Sequence, residues 1–204
     1  MSASAGHPVD PQFLSRQDGG VTLVYLVQHG EKERSPGDPG LTARGRGQAT
    51  RTGQWLASHH VTGLWASPLR RAQQTAGCIA TVTGLTVCRD ARLTERLNWD
   101  GSIPLDAFLA LWTRTTHDRD LVPAGGQSSR QAGARLQSFL TSVQGQPGPV
   151  AAVTHGGVTI DLLRDLLGDN GLPPDLLQAG IPPGAVTAID GRTATMLAAK
   201  AHLH

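Results

Sequence analysis

Lysine is nearly missing from this chain. Lys32 and Lys200 are the only two, so almost every basic residue is an arginine. The acids are mostly aspartate, with glutamate confined to Glu31, Glu33 and Glu95. A GC-rich coding sequence leaves this kind of skew, which carries no chemistry of its own. The 204 residues contain no run of five Lys or Arg and carry a net charge of only +2, so the sequence shows no footprint for nucleic acid. They also contain no stretch of 18 apolar residues, and MSASAGHPVDPQFLSRQDGG at the start lacks the apolar centre of a secretory signal. A soluble, cytoplasmic protein without a membrane partner is therefore expected. Cysteine is scarce as well. Cys78, in a helical pattern, and Cys88, in a strand pattern, are expected to be inert buried thiols rather than a bridge. No His, Cys and Asp cluster has metal-ligand spacing, so neither a metal nor another cofactor is expected. GDPG and ARGRG lack the G-K-[ST] of a P-loop, and neither forms G-x-G-x-x-G after a strand, which argues against a nucleotide.

What is present is ordinary globular material, 39% hydrophobic and 17% charged, enough for one core. Residues 1–20, rich in Gly, Pro and Ser, read as a flexible tail, and 21–204 as a single domain. Val21 to Gln28, VTLVYLVQ, is an almost unbroken apolar run with the pattern of a central parallel strand. Thr42 is placed to cap a helix over ARGRGQATRTGQWLASHH. Val61 to Ser67 predicts a second strand, Pro68 the first turn of a helix through Thr81, and Leu85 to Asp90 a third strand. Pro104 to Gln144 is helical in pattern, broken at Pro123–Gly126. Pro149 to Thr154 repeats the first strand's pattern, and a helix through Leu167 follows. Asp190-Gly191-Arg192 marks the turn of a terminal hairpin. Strands alternating with helices predict a three-layer α/β/α sandwich with a mainly parallel sheet.

The ligand crevice of such a sheet lies beyond the carboxyl ends of its strands. Two buried-strand patterns end there in His-Gly, at His29-Gly30 and at His155-Gly156. A single strand-end histidine has an ordinary structural explanation. Two, each followed by glycine, point to imidazoles converging on one ligand, and the helix starting near Gly157 offers backbone N–H groups to an anion.

Six segments, in order, resemble the histidine phosphatase superfamily, also called phosphoglycerate-mutase-like. They are Q-H-G-E at Gln28, LTARGRGQA at Leu41, SPLRRAQQTA at Ser67, LTER at Leu93, PAGGQS at Pro123 and VTHGGVT at Val153. The resemblance runs over nearly the whole chain. It implies a phosphomonoester hydrolase acting on a small phosphorylated metabolite, with a second copy of the chain as the one further partner entertained.

The resemblance assigns His29 as the nucleophile, with its other ring nitrogen donating to a backbone carbonyl. Glu95 is assigned to protonate the leaving alcohol and then to activate water. Arg71 is to grip phosphate bidentately, and His155 to donate to the developing charge; Gln28 and Gly156 complete the phosphate contacts. The plain alternatives are a helix-surface ion pair for Arg71 and a solvated loop carboxylate for Glu95. Arg44, His59, His60 and His117 read as surface or helix-end residues; Trp99, Phe108 and Trp112 have the composition of an apolar pocket for a bulky alcohol, with core packing as the expected use.

The sequence departs from the family pattern at three points. Gln28 stands where the family keeps its first phosphate-binding arginine, which opens the alternative of a phosphate-ligand-binding protein with weak or no turnover. Gln127 replaces a glutamate in the fifth segment. Ser35 stands where the mutases keep an asparagine, and only 60 positions run from Glu95 to His155. Both features disfavour the second alternative, a phosphoglycerate-mutase-type phosphotransferase.

Overall fold

A computed structural model describes residues 20–203. The expected tail therefore lies, but for its last residue, outside the described residues. The first strand, β1 (Leu23–Gln28), alternates its side chains between two cores. Val24 and Leu26 face one core, Tyr25 and Val27 the other, and all four are buried. Helix α1 (Ala43–Ser58) starts where expected, with the Thr42 side chain accepting from the Gly45 amide. Then follow β2 (Gly63–Ala66), α2 (Arg70–Thr83) and β3 (Val87–Arg89). Pro68 falls before α2 rather than in its first turn, because Leu69 is the residue that caps it.

Two helices follow, α3 (Leu105–His117) and α4 (Ser129–Ser142). Strand β4 (Val150–Thr154), buried along its whole length, runs straight into α5 (Gly156–Leu167). A short α6 (Pro174–Ala179) leads to the hairpin of β5 (Val186–Asp190) and β6 (Thr193–Ala199), which turns at Gly191 as read from the sequence.

The sheet order is β3-β2-β4-β1-β5-β6. The first four strands are parallel, and the hairpin adds β5 antiparallel to β1. Leu56 of α1 and Ile79 of α2 pack with Tyr25 and Val27 on one face, while Leu136 and Phe139 of α4 and Leu162 and Leu163 of α5 pack on the other. This is the expected three-layer sandwich. Helix α3 stands apart, with Thr115 its only buried residue. Both cysteines are free, but their expected burial is not found: Cys78 is half-buried and Cys88 exposed. The reason for Cys88 is topological, since β3 is three residues long and lies at the sheet edge.

Candidate active site

The pairing of β1 with β4 sets Gln28 beside Thr154, so the chain leaves both strands side by side and His29 and His155 come next. Their ring centroids are 5.2 Å apart. His29 Nδ1 lies 2.8 Å from the Gly30 carbonyl and can only donate to it, which fixes the hydrogen on Nδ1 and leaves the lone pair on Nε2. Two donors point at that lone pair, Arg71 Nε at 3.2 Å and Gln28 Nε2 at 3.4 Å. His29 is 8% exposed. Burial first, then the Arg71 charge, push its pKa from 6.5 down to about 3, so the imidazole is neutral at physiological pH.

Gly30 and Gly45 hold this turn against the start of α1. A Cβ at Gly30 would collide with the Gly45 carbonyl, and one at Gly45 with the Glu31 carbonyl. The two glycines, in separate segments of the sequence, meet because backbone must touch backbone here. The Gly30 amide donates to Thr75 of α2 at 3.0 Å, tying the turn to the helix that carries Arg71.

Arg71 is 3% exposed, and the carboxylate of Asp38 lies 3.8 Å from its Nη1. His155 is 1% exposed; its Nε2 lies 2.8 Å from the Ser67 hydroxyl, and burial holds its pKa well below 6.5. Gln28 Oε1, Arg71 Nη1 and His155 Nδ1 are buried without a hydrogen-bond partner among the described residues. Such atoms are costly singly, and three around one imidazole mark a place for a polar ligand.

Glu95 reaches the site from the other side. Its Oε2 accepts from the Gly157 amide at 3.0 Å, and its Oε1 from Val158 and Arg96, both at 2.9 Å. The first-turn amides of α5, expected to meet a substrate anion, are thus taken by this carboxylate, the nearest negative group to the positive end of the helix. Only glycine fits at 157, since a Cβ there would stand 2.5 Å from the Trp112 ring and 2.6 Å from Glu95 Oε1.

Two arginines, Arg96 buried and Arg135 half-buried, brace the segment. Arg135 donates to the Thr94 carbonyl at 2.7 Å and to Gln127 Oε1 at 2.8 Å. Gln127, the departure in the fifth segment, therefore serves as a strut. Arg96 pairs with the fully buried Asp161 at 2.6 Å. Burial outweighs the Arg96 charge and raises Asp161 to about 7.

His29, Arg71 and Glu95 line one cavity of about 330 Å³. His155 packs behind His29, while Gln28 and Gly156 line a neighbouring cavity of about 250 Å³ that shares Glu95 and Trp112 as its partition. Trp99, Phe108 and Trp112 are half-buried cavity walls rather than core, because the helix that carries two of them stands clear of both cores.

Lys32 was missed in the sequence. It lines the His29 cavity, lowers the His29 pKa by its charge, and has no carboxylate within ion-pair range among the described residues. A lysine three positions past His29, in a chain with two, was the available signal. Arg44 and His117 are exposed as expected, and Arg44 lies 3.8 Å from Glu31. His59 is half-buried, stacked on Trp55 at 3.7 Å. Among the described residues, no helix is long and apolar enough to cross a membrane, and no group of three or more His, Cys, Asp or Glu could hold a metal.

The α/β sheet thus brings two buried imidazoles to adjacent strand ends, with an arginine beside His29 and a carboxylate lining the same cavity. The profile of the histidine phosphatase superfamily (branch 1) matches residues 24–197, and the chain belongs to that family. It is 33% identical to "Probable phosphoglycerate mutase GpmB" of Yersinia enterocolitica, over 74% of this chain and 76% of that one. It is 31% identical to the glucosyl-3-phosphoglycerate phosphatase of Mycolicibacterium vanbaalenii, over 76% and 77%. A solved mycobacterial glucosyl-3-phosphoglycerate phosphatase with inorganic phosphate superposes at a TM-score of 0.72 and 25% identity, covering 89% of this chain and 99% of that one.

Proposed function

We propose that this protein is a phosphomonoester hydrolase that turns over through a phosphohistidine on His29. The observation carrying this reading is the state of that imidazole: neutral, with its hydrogen committed to Gly30 and its Nε2 lone pair facing Arg71. In the first step Nε2 attacks phosphorus and the bond to the alcohol oxygen breaks. Glu95 gives that oxygen its proton, and Arg71, Lys32 and His155 offset the charge on the remaining phosphoryl oxygens. In the second step water attacks the phosphohistidine, Glu95 takes its proton, the P–N bond breaks and phosphate leaves.

Brief incubation with substrate should leave acid-labile, base-stable phosphate on the protein, and His29→Ala should lose both label and turnover. Label persisting in that variant removes the assignment.

Gln28 favours a second reading, a binding protein, because an amide has replaced a guanidinium beside the nucleophile. Saturable phosphate binding with no label and no release would establish it. Stoichiometric isomerisation of phosphoglycerate with negligible free phosphate would establish mutase chemistry instead.

A further inference from the structure

The far wall of the His29 cavity is made of Leu97, Trp99, Leu105, Phe108, Leu109 and Trp112. Leu105 is 48% exposed and Leu109 53%, although both are large and apolar. Two of the aromatic walls have partners within the protein. Trp99 Nε1 donates to the Ile103 carbonyl at 2.8 Å, and the Arg96 guanidinium lies 4.2 Å from the Trp112 ring centre. Phe108 packs near Trp112 at 6.2 Å. The cations lining the cavity are Lys32 and Arg71, both close enough to His29 to depress its basicity. Among the described residues, both cations of the cavity, Lys32 and Arg71, are assigned to the phosphate, and the other polar residues beside the apolar wall, Ser35 and Asn98, are neutral.

Resting on the phosphatase reading, we propose that the substrate is the monoester of a bulky, uncharged alcohol carrying an aromatic or aliphatic ring. The phosphate sits against His29 and Arg71, and the ring lies along α3 between Trp99, Phe108 and Trp112. A cavity of about 330 Å³ is at the small end for small-molecule sites and fits one such group beside a phosphate. A ring there covers apolar side chains that otherwise face water, whereas a glycerate or serine carboxylate would be placed against them unpaired.

The test compares 2-phenylethyl phosphate with ethyl phosphate and 3-phosphoglycerate. All three leave as alkyl oxygens, so leaving-group chemistry is nearly matched. Phosphate release should show kcat/KM for the phenylethyl ester roughly 10- to 100-fold above the other two. Phe108→Ala, on a half-buried and core-free position, should collapse the ratio of phenylethyl to ethyl ester towards one. Equal turnover of the three esters, or preference for 3-phosphoglycerate, overturns the substrate class and leaves the phosphatase reading standing. If no ester is hydrolysed and His29 takes no label, the phosphatase reading fails, and the substrate class is then decided by calorimetry. The phenylethyl ester must still bind at least about tenfold tighter than ethyl phosphate; equal binding rejects it.

Discussion

Helices α5 and α3 both border the reaction site, and they are built differently. Eight of the twelve residues of α5 are buried, and its first turn holds Glu95 through two amides. Only Thr115 of α3 is buried, and its apolar face meets the cavity. The groups proposed to take part in bond-making thus stand on, or are held by, strand ends and helix starts locked into the core, where a misplacement of about 1 Å can cost 10²-fold in rate. The surface proposed to read the alcohol is carried largely by a helix that can vary without disturbing either core.

The strongest way to break this contrast is on the rigid side. Arg71→Ala removes a guanidinium whose hydrogen bonds to a phosphate are each worth about 1.5–3 kcal/mol. It should cost roughly 10²- to 10⁴-fold in kcat/KM on every ester, whatever its alcohol. A loss confined to one alcohol would move Arg71 to the specificity side.

Gly157→Ala comes next. It forces Glu95 and Trp112 apart and should slow alkyl esters by roughly 10²-fold, a typical worth of general acid catalysis. Nitrophenyl phosphate, whose leaving group needs little protonation, should suffer far less in a pre-steady-state burst. Equal loss in both bursts would contradict the acid role of Glu95.

Gln28→Arg tests the partition between the two cavities. If the amide only weakens the phosphate site, restoring a charged donor should raise kcat/KM on generic aryl phosphates by roughly 10- to 100-fold and tighten inhibition by phosphate. Tighter binding without turnover supports the binding-protein reading.

A further test is on stability rather than rate. His29 has a folded pKa of about 3 against 6.5, so the unfolded chain takes up a proton below pH 6.5 that the native state refuses. The stability tied to the neutral ring is whole above pH 6.5 and is lost as pH falls towards 3, by about 5 kcal/mol at most. Asp161, raised from 3.8 to about 7, acts in the opposite direction: its contribution is whole below pH 3.8 and is lost as pH rises through 7. Melting temperatures of His29→Asn from pH 7 to 4 should therefore fall less steeply than those of the parent. Parallel curves would mean that the ring is not buried neutral.

The rigid half of the site was legible in the sequence. Apolar runs ending in His-Gly located both histidines, and one parallel pairing was enough to bring them together. Arg71 and Glu95 came from motif order, and the cavity holds them beside His29. The α3 side was half legible, since an apolar pocket was the lesser of two readings and core packing was expected. LDAFLALW has the spacing of an amphipathic helix whether its apolar face meets a core or a cavity, so Phe108 and Trp112 were placed in the wrong surroundings. Cys88 was misjudged because strand order, which puts β3 at the edge, is not a local property. Lys32 escaped because its importance lies in what does not pair with it.

The register that sets Gln28 beside Thr154 has a consequence for heating. The two imidazoles cannot separate unless β1 and β4 part, and those strands lie between the two cores. The nucleophile's surroundings should thus survive until the whole domain melts. Helix α3, with one buried residue, can fray at lower temperature. Warming should therefore erode discrimination between alcohols before it erodes the power to cleave them, leaving the protein briefly a less selective version of itself.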